Sequence, residues 1–398
     1  MKIKENLILY LFLLYALFAV VSITISEFFF ILTLILCICE IIKKKIDIKK
    51  IFSTPVALPV IIFIIFHFIS ALFSIDHFNS LKDMRKVYLI LMFFLSIYCL
   101  DNTEKIKAVL NAFTSGAGFV GLYAIINSIY FKYIKGISDF RATSFSGNHM
   151  HLGGMLMMAL IIIFILLIYS IKEKQKVKTF FYTITFIIVF FGLLFTYTRS
   201  SWISAISGIL LILFILNKKW FLSGIAILFL LFILFFNTSF AQRIVRTVSF
   251  FSNDSGAERI YMWKSGLNII KDYPLTGIGT ANLEKIYPRY INKNAKEKNQ
   301  GHMHNNILQI AVIDGLPGLA AFLWIFIAIF IYFYKNFIKA KETYLKYILL
   351  SAFSISVSFF INGFFEYNFF SSQVVLIFWF LIGTGEAAKR LIINDHAN

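Results

Sequence analysis

Apolar runs as long as a bilayer is thick constrain the fold of this 398-residue chain more than any other feature. Segments such as 152–171 and 315–334 carry about twenty residues without a charge, the length a helix needs to cross a hydrocarbon layer of ~30 Å. Inside that layer the backbone must satisfy its own hydrogen bonds, which leaves helices or a closed barrel. Strand-like alternation is absent from the runs, which argues against a barrel. With 59% hydrophobic residues, 15% charged and a mean hydropathy of +0.81, the composition is not that of a soluble domain. Such a domain buries its helices along one stripe and charges the rest. The expected fold is all-α and polytopic.

Hydropathy predicts spans near 6–25, 27–42, 55–74, 87–100, 108–131, 152–171, 179–197, 201–216, 220–237, 315–334, 347–364 and 371–388, about twelve transmembrane helices. The fourth is short, and a tight hairpin joins the seventh and eighth. Lys2 and Lys4 precede an apolar run that continues to Ile25 without a small-residue cleavage site, so it reads as a first span rather than a removable signal. The N-terminus is then expected inside.

Location explains much of the net charge of +18. Lysine-rich segments at 43–50, 172–178, 217–219, 335–346 and 389–390 all fall on one side, the cytoplasmic side by the positive-inside rule. Both termini lie on that side as well. No basic soluble module is present, so no nucleic-acid partner is expected. Cys37, Cys39 and Cys99 lie in or beside apolar spans and offer neither a disulfide framework nor zinc-ligand spacing.

The outer side carries the polar features: 74–86, 131–154, the hairpin tip 196–201, and one large loop, 238–314, between spans nine and ten. No internal repeat or linker divides the chain, so residues 1–398 read as a single membrane domain. The large loop opens with SFAQRIVRTVSFFSND, expected to lie along the interface with Arg243 and Arg246 toward headgroups. GAERIYMWKSGLNIIKDYP then reads as a helix whose Ile260, Trp263, Leu267 and Ile270 recur at helical spacing. A glycine turn, LTGIGTANL, leads to a second helix, and INKNAKEKNQG is a polar excursion. HMHNNILQIAVIDGLPG is a short helix returning the chain to the membrane, with Gly315, Pro317 and Gly318 marking the return.

Residues whose position is costly identify the candidate site. Arg199 sits at the hydrocarbon boundary in TYTRSSW, where an arginine either snorkels to headgroups or serves a substrate. Arg259 opens the loop helix, and Arg141 lies near the bilayer in DFRATSFSGNH. Arginines without a matching acidic cluster suit an anion held by bidentate forks, most naturally a phosphate or pyrophosphate. His304, beside Asn305, is the candidate acid/base group because imidazole titrates near neutral pH. His302 and His304 as a metal pair is the competing reading; no carboxylate partner at fitting spacing supports it. His149 and His151 read as groove-lining, and His67 and His77 as structural. Glu366 needs a partner at its depth, either an arginine of the site or a group it orients. TGIGT neither follows a strand nor continues as G-x-G-x-x-G, so it is no dinucleotide loop.

TYTRSSW, ERIYMWKSGLNIIKDYPLTGIGTANL and HMHNNILQIAVIDGLPGLAAF together resemble the O-antigen ligase / O-antigen polymerase superfamily of bacterial envelope enzymes. The motifs cover about 120 residues. The resemblance implies a GT-C-like, metal-independent, cofactor-free glycosyltransferase of the bacterial inner membrane, with loop 238–314 and the active site facing the periplasm. Its donor would be a glycan on undecaprenyl pyrophosphate. Its acceptor would be a sugar of lipid A–core in a ligase, another lipid-linked repeat in a polymerase, or a Ser or Thr in the related protein O-glycosylating enzymes. Carried over by motif, Arg199 and Arg259 grip the pyrophosphate and His304 activates the acceptor hydroxyl. Arg141, Glu366, His302 and Asn305 are the further candidates for the pyrophosphate or the groove. A transporter or flippase would instead place charges at the bilayer midplane and show related halves.

Overall fold

The computed structural model describes residues 2–45, 48–137, 140–145, 147–234, 254–341 and 343–397. These form helices and connecting turns, with no strand among them. In chain order the α-helices are α1 (Lys2–Phe18), α2 (Ile23–Lys44), α3 (Ile48–Phe52), α4 (Ala57–Phe73), α5 (His77–Asp83), α6 (Leu91–Cys99) and α7 (Thr103–Ile129). There follow α8 (His149–Lys172), α9 (Lys176–Phe195), α10 (Arg199–Leu216), α11 (Lys218–Leu234) and α12 (Asp254–Asp272). Last come α13 (Leu283–Ile286), α14 (Asn306–Lys339), α15 (Tyr344–Asn362) and α16 (Ser372–Ala397). The expected interfacial helix with Arg243 and Arg246 lies outside the described residues.

Seven helices are long and apolar enough to cross a bilayer by length and composition, among the described residues; α4 and residues 6–18 of α1 are shorter apolar helices. Where the fourth span was expected, α6 has only 9 residues. A 3-10 helix, Met84–Ile90, precedes it, and because 3-10 turns rise ~2 Å per residue the pair extends about 28 Å.

The interior of the bundle is mostly apolar, with a few buried polar groups such as Gln373 and Glu386. From Leu152 to Ile163 each residue of α8 is buried, and so is each residue of α16 from Gln373 to Ala388. Helices hydrophobic all round belong in the middle of a bundle. Peripheral helices instead show large apolar side chains outward, among them Phe28, Val177 and Phe229. In water such a surface would drive aggregation; in a bilayer it faces acyl chains. Helices α7 and α9 approach so closely that a Cβ on Gly192 would stand 2.8 Å from Gly121 Cα, the small-residue contact membrane helices use.

One element builds the site. The short helix expected to return the chain to the membrane starts at Asn306, and the break expected at Gly315 is a kink with φ of 69° and ψ of −175°, beyond which α14 runs on as the span to Lys339. Pro317 has no N–H for the carbonyl of Ile313, and Leu316 N–H turns away to Pro274 O (2.7 Å). The orphaned carbonyls of Val312 and Ile313 take N–H groups from Ile278 (3.0 Å) and Gly279 (2.9 Å) of the glycine turn. Ser70 of α4 also donates to Ile313 O. Asp314, immediately before the kink, pairs with His67 Nδ1 at 2.8 and 2.9 Å, both side chains fully buried. The first turns of α14 are thereby locked into the bundle.

Helix α12 forms where periodicity predicts a helix, but its buried face is displaced. Met262, Gly266 and Ile269 are buried, whereas Leu267 is 53% exposed. Gly266 sets this rotation, because it admits Met303 and Leu308 against the helix backbone. The polar excursion that follows α13 is helix-free and is pinned by Glu258, which accepts from Lys296 N–H at 2.9 Å.

Candidate functional site: an arginine and histidine cluster

Three helices begin at the loop-bearing end of the bundle and bring the site together. Asn148 caps α8 by accepting from Met150 and His151 N–H. Asn305 caps α14 by accepting from Leu308 N–H at 3.0 Å. The start of α10 is held against α8, where Thr198 Oγ1 donates to His149 O at 3.3 Å. Such N-termini present unsatisfied N–H groups and a positive dipole end.

Arg199 is the first residue of α10, after Tyr197 in the left-handed region at φ 51°. Arg141 is brought beside it because Ala142 N–H donates to Phe195 O, at the end of α9. Arg141 Nη1 also donates to His149 Nε2 at 3.1 Å. The charges of both Arg259 and Arg141 act on Arg199, so three cations share one site.

The opposite wall comes from α12 and two turns. Arg259 Nη1 donates to Phe365 O at 2.9 Å, and Nη2 lies 3.4 Å from Glu366 Oε1. The other carboxylate oxygen is 3.6 Å from His304 Nδ1, beyond hydrogen-bond distance. Nδ1 is buried and makes no hydrogen bond, while the His304 backbone is held at φ 47°. A left-handed non-glycine residue costs about 1–3 kcal/mol, and such strain is sustained where the surroundings over-determine it. The His302 ring meets the His304 ring edge-on at 4.1 Å and faces Tyr367 at 5.9 Å. Burial, then the neighbouring charge of His304, pushes His302 down to about 4.

The structure therefore brings together Arg141, Arg199, Arg259, His302, His304 and Glu366 from five separate stretches of sequence. Asn305 lies at the same place but is already engaged: besides the cap, its Nδ2 donates to Phe364 O at 3.1 Å. His151 also belongs to the cluster, since the charge of Glu366 acts on it. Among the described residues, no three of His, Cys, Asp and Glu converge in a metal-binding arrangement.

Residues 184–323 match the family described as O-antigen ligase, a stretch holding Arg199, Arg259, His302, His304 and Asn305. That match, with the relatives below, is consistent with the O-antigen ligase/polymerase superfamily. It is similar to a candidate polysaccharide ligase of Rickettsia typhi, 26% identical over 363 residues, covering 84% of this chain and 82% of that protein. A candidate polysaccharide ligase of Rickettsia prowazekii is 25% identical over 83% of this chain and 80% of its own length. A Haemophilus influenzae protein without an assigned activity is 25% identical over 74% of this chain and 76% of its own.

The structure adds residues that sequence reasoning passed over. Asn306 Nδ2 donates to Asn368 Oδ1 (2.7 Å), and Asn368 N–H donates back to Asn306 Oδ1 (3.0 Å). Asn368 Nδ2 donates to Asn362 Oδ1 (2.8 Å), whose Nδ2 reaches Ser201 Oγ (3.3 Å). This buried amide relay fixes the His304 turn, the Glu366 turn and the Arg199 helix relative to one another. A buried amide is expensive to strand, so such a chain holds only one geometry. The signal in the sequence was Asn306 and Asn368 within otherwise apolar segments.

Proposed function

We propose that the chain is a membrane glycosyltransferase of the O-antigen ligase type, moving a glycan from undecaprenyl pyrophosphate to a sugar hydroxyl of lipid A–core. The observation that carries this reading is the gathering of Arg141, Arg199 and Arg259 with one carboxylate among the described residues, Glu366, beside His304. Such a site has a surplus of fixed positive charge aimed at an anion, and the three helix N-termini add to it. The names of the rickettsial relatives support polysaccharide transfer. We read the site as periplasmic, with about twelve spans, both termini cytoplasmic, and the loop 238–314 outside.

In the reaction the acceptor oxygen attacks the anomeric carbon while the carbon–oxygen bond to pyrophosphate breaks. The electron pair of that bond goes to the leaving oxygen, where Arg199 and Arg259 stabilise the growing charge. The hydroxyl proton passes to His304. Glu366 orients the imidazole and holds Arg259 between turnovers. Among the described residues the carboxylate of the cluster, Glu366, lies against Arg259 and His304, so we read the reaction as a single displacement with inversion rather than one through a covalent glycosyl intermediate. The chemistry asks for neither metal nor cofactor.

Deletion of the gene in its host, followed by gel analysis of lipopolysaccharide, tests the reading. Core without polymer, with lipid-linked polymer accumulating, is the expected result. Core carrying one repeat unit assigns the chain to the repeat-unit polymerases, whose donor chemistry is the same. Unchanged lipopolysaccharide contradicts both and returns attention to protein O-glycosylation or to a flippase.

A further inference from the structure

A second polar feature lies on the same end of the bundle and takes no part in the arginine cluster. It is an open cleft of about 390 Å³ between α5 and the turn preceding α13, with Gly301 on its rim. Its walls are joined by a buried seam. Asn282 Nδ2 donates to Ser80 Oγ (3.1 Å) and Ile278 O (2.8 Å), and its Oδ1 accepts from Asp76 N–H (3.1 Å). Lys285 pairs with Asp76 across the same seam, and Lys285 and Asn79 hold the Asp76 carboxyl well below the usual carboxylate range. The walls are therefore set before any ligand arrives.

The groups facing the opening are left available. Lys82, Arg85 and Glu284 make no hydrogen bond or ion pair among the described residues. Asn79 spends one donor on Asp76 Oδ2 (2.8 Å), and Thr280 also lines the space. Cations, a carboxylate, an amide and a hydroxyl around a wet cleft suit a ligand rich in hydroxyls, and the volume lies in the range of small-ligand sites. A lipid tail would require an apolar groove instead.

The cleft adjoins the segment that carries the proposed base. Gly301 immediately precedes His302, whose ring contacts both His304 and Tyr367. Asp83, in the cleft lining, acts electrostatically on Tyr367. We propose that this cleft seats the terminal sugars of a glycan acceptor and presents the attacking hydroxyl to His304. The inference rests on the transferase reading above and adds where its second substrate binds. Donor and acceptor on opposite sides of the anomeric carbon is the arrangement an in-line displacement needs.

The test uses the full chain in liposomes, with a glycan on undecaprenyl pyrophosphate as donor and lipid A–core as acceptor. The double variant Lys82→Ala with Glu284→Gln is compared with wild type and with Lys271→Ala, an exposed change on α12 outside the cleft. The expected result is an acceptor KM raised about ten-fold, as for loss of one or two hydrogen bonds, with the donor KM unchanged. In a parallel experiment, Glu284→Cys should be shielded from a maleimide by the acceptor and not by the donor. An unchanged acceptor KM alongside wild-type transfer overturns the cleft and leaves the transferase reading intact. A raised donor KM also overturns it, because the cleft then holds donor sugars. If wild type transfers no glycan, the transferase reading itself fails and takes the cleft with it.

Discussion

Arg199 stands out because an arginine at the hydrocarbon boundary is costly, and Arg259 and His304 stand out by the motifs around them; all three were therefore legible as candidates before any fold was known. Their partners were not. Glu366 is recognisable as a carboxylate needing company, yet only the fold shows it divided between Arg259 and His304, at 3.4 and 3.6 Å. The His67–Asp314 pair spans 247 positions in sequence, and nothing local in either segment announces it. His302 offers a test at this scale. Its folded value of about 4 lies below the ordinary 6.5, so as pH falls the unfolded chain takes up the proton first. Its contribution to stability is therefore complete above about 6.5 and declines as pH drops toward 4. Limited proteolysis of the loop between pH 7 and pH 4.5 should show wild type loosening, and His302→Asn loosening less. Equal loosening of the two would remove His302 from that account.

At the scale of elements, hydropathy located the helices because each apolar run is nearly continuous, and it misjudged those whose shape is set by tertiary contacts. Residues 306–314 looked like a loop helix because Asn306, Gln309 and Asp314 are polar. They are buried among partners that only the folded chain supplies. Likewise the periodicity of α12 favoured Leu267, whereas the close approach of Met303 at Gly266 turned the helix by about a residue. The kink is the element most open to challenge. At Gly315 a side chain meets a φ of 69° and a Cβ 2.5 Å from Leu275 O. Gly315→Ala should lower thermal stability in detergent by more than 1 kcal/mol and reduce transfer with it, on the order expected for a strained left-handed position. A variant melting with wild type would mean that the kink does not hold the site.

For the whole molecule, the clustered residues lie at one end, contributed by the segment leading into α8, the start of α10, α12, the turn leading into α14 and the turn after α15. The large loop supplies only one wall, so its isolated fragment has one of the three clustered arginines, Arg259, and lacks Glu366. Because the proposed charge stabilisation comes from guanidinium groups, transfer should persist after exhaustive chelation. Loss of transfer on chelation, restored by a divalent cation, would revive the reading of His302 and His304 as metal ligands.

The central claim is that arginines hold the pyrophosphate while His304 handles the hydroxyl proton. The most direct measurement separates donor binding from transfer in purified protein, comparing wild type with Arg199→Ala, Arg259→Ala and His304→Ala. Both arginine variants should lose donor binding and transfer together. His304→Ala should bind donor as wild type does while transfer falls by about 10²–10⁴, the range for removing a general base. Transfer by His304→Ala near the wild-type rate, or donor binding undiminished in Arg199→Ala and Arg259→Ala, would contradict the claim.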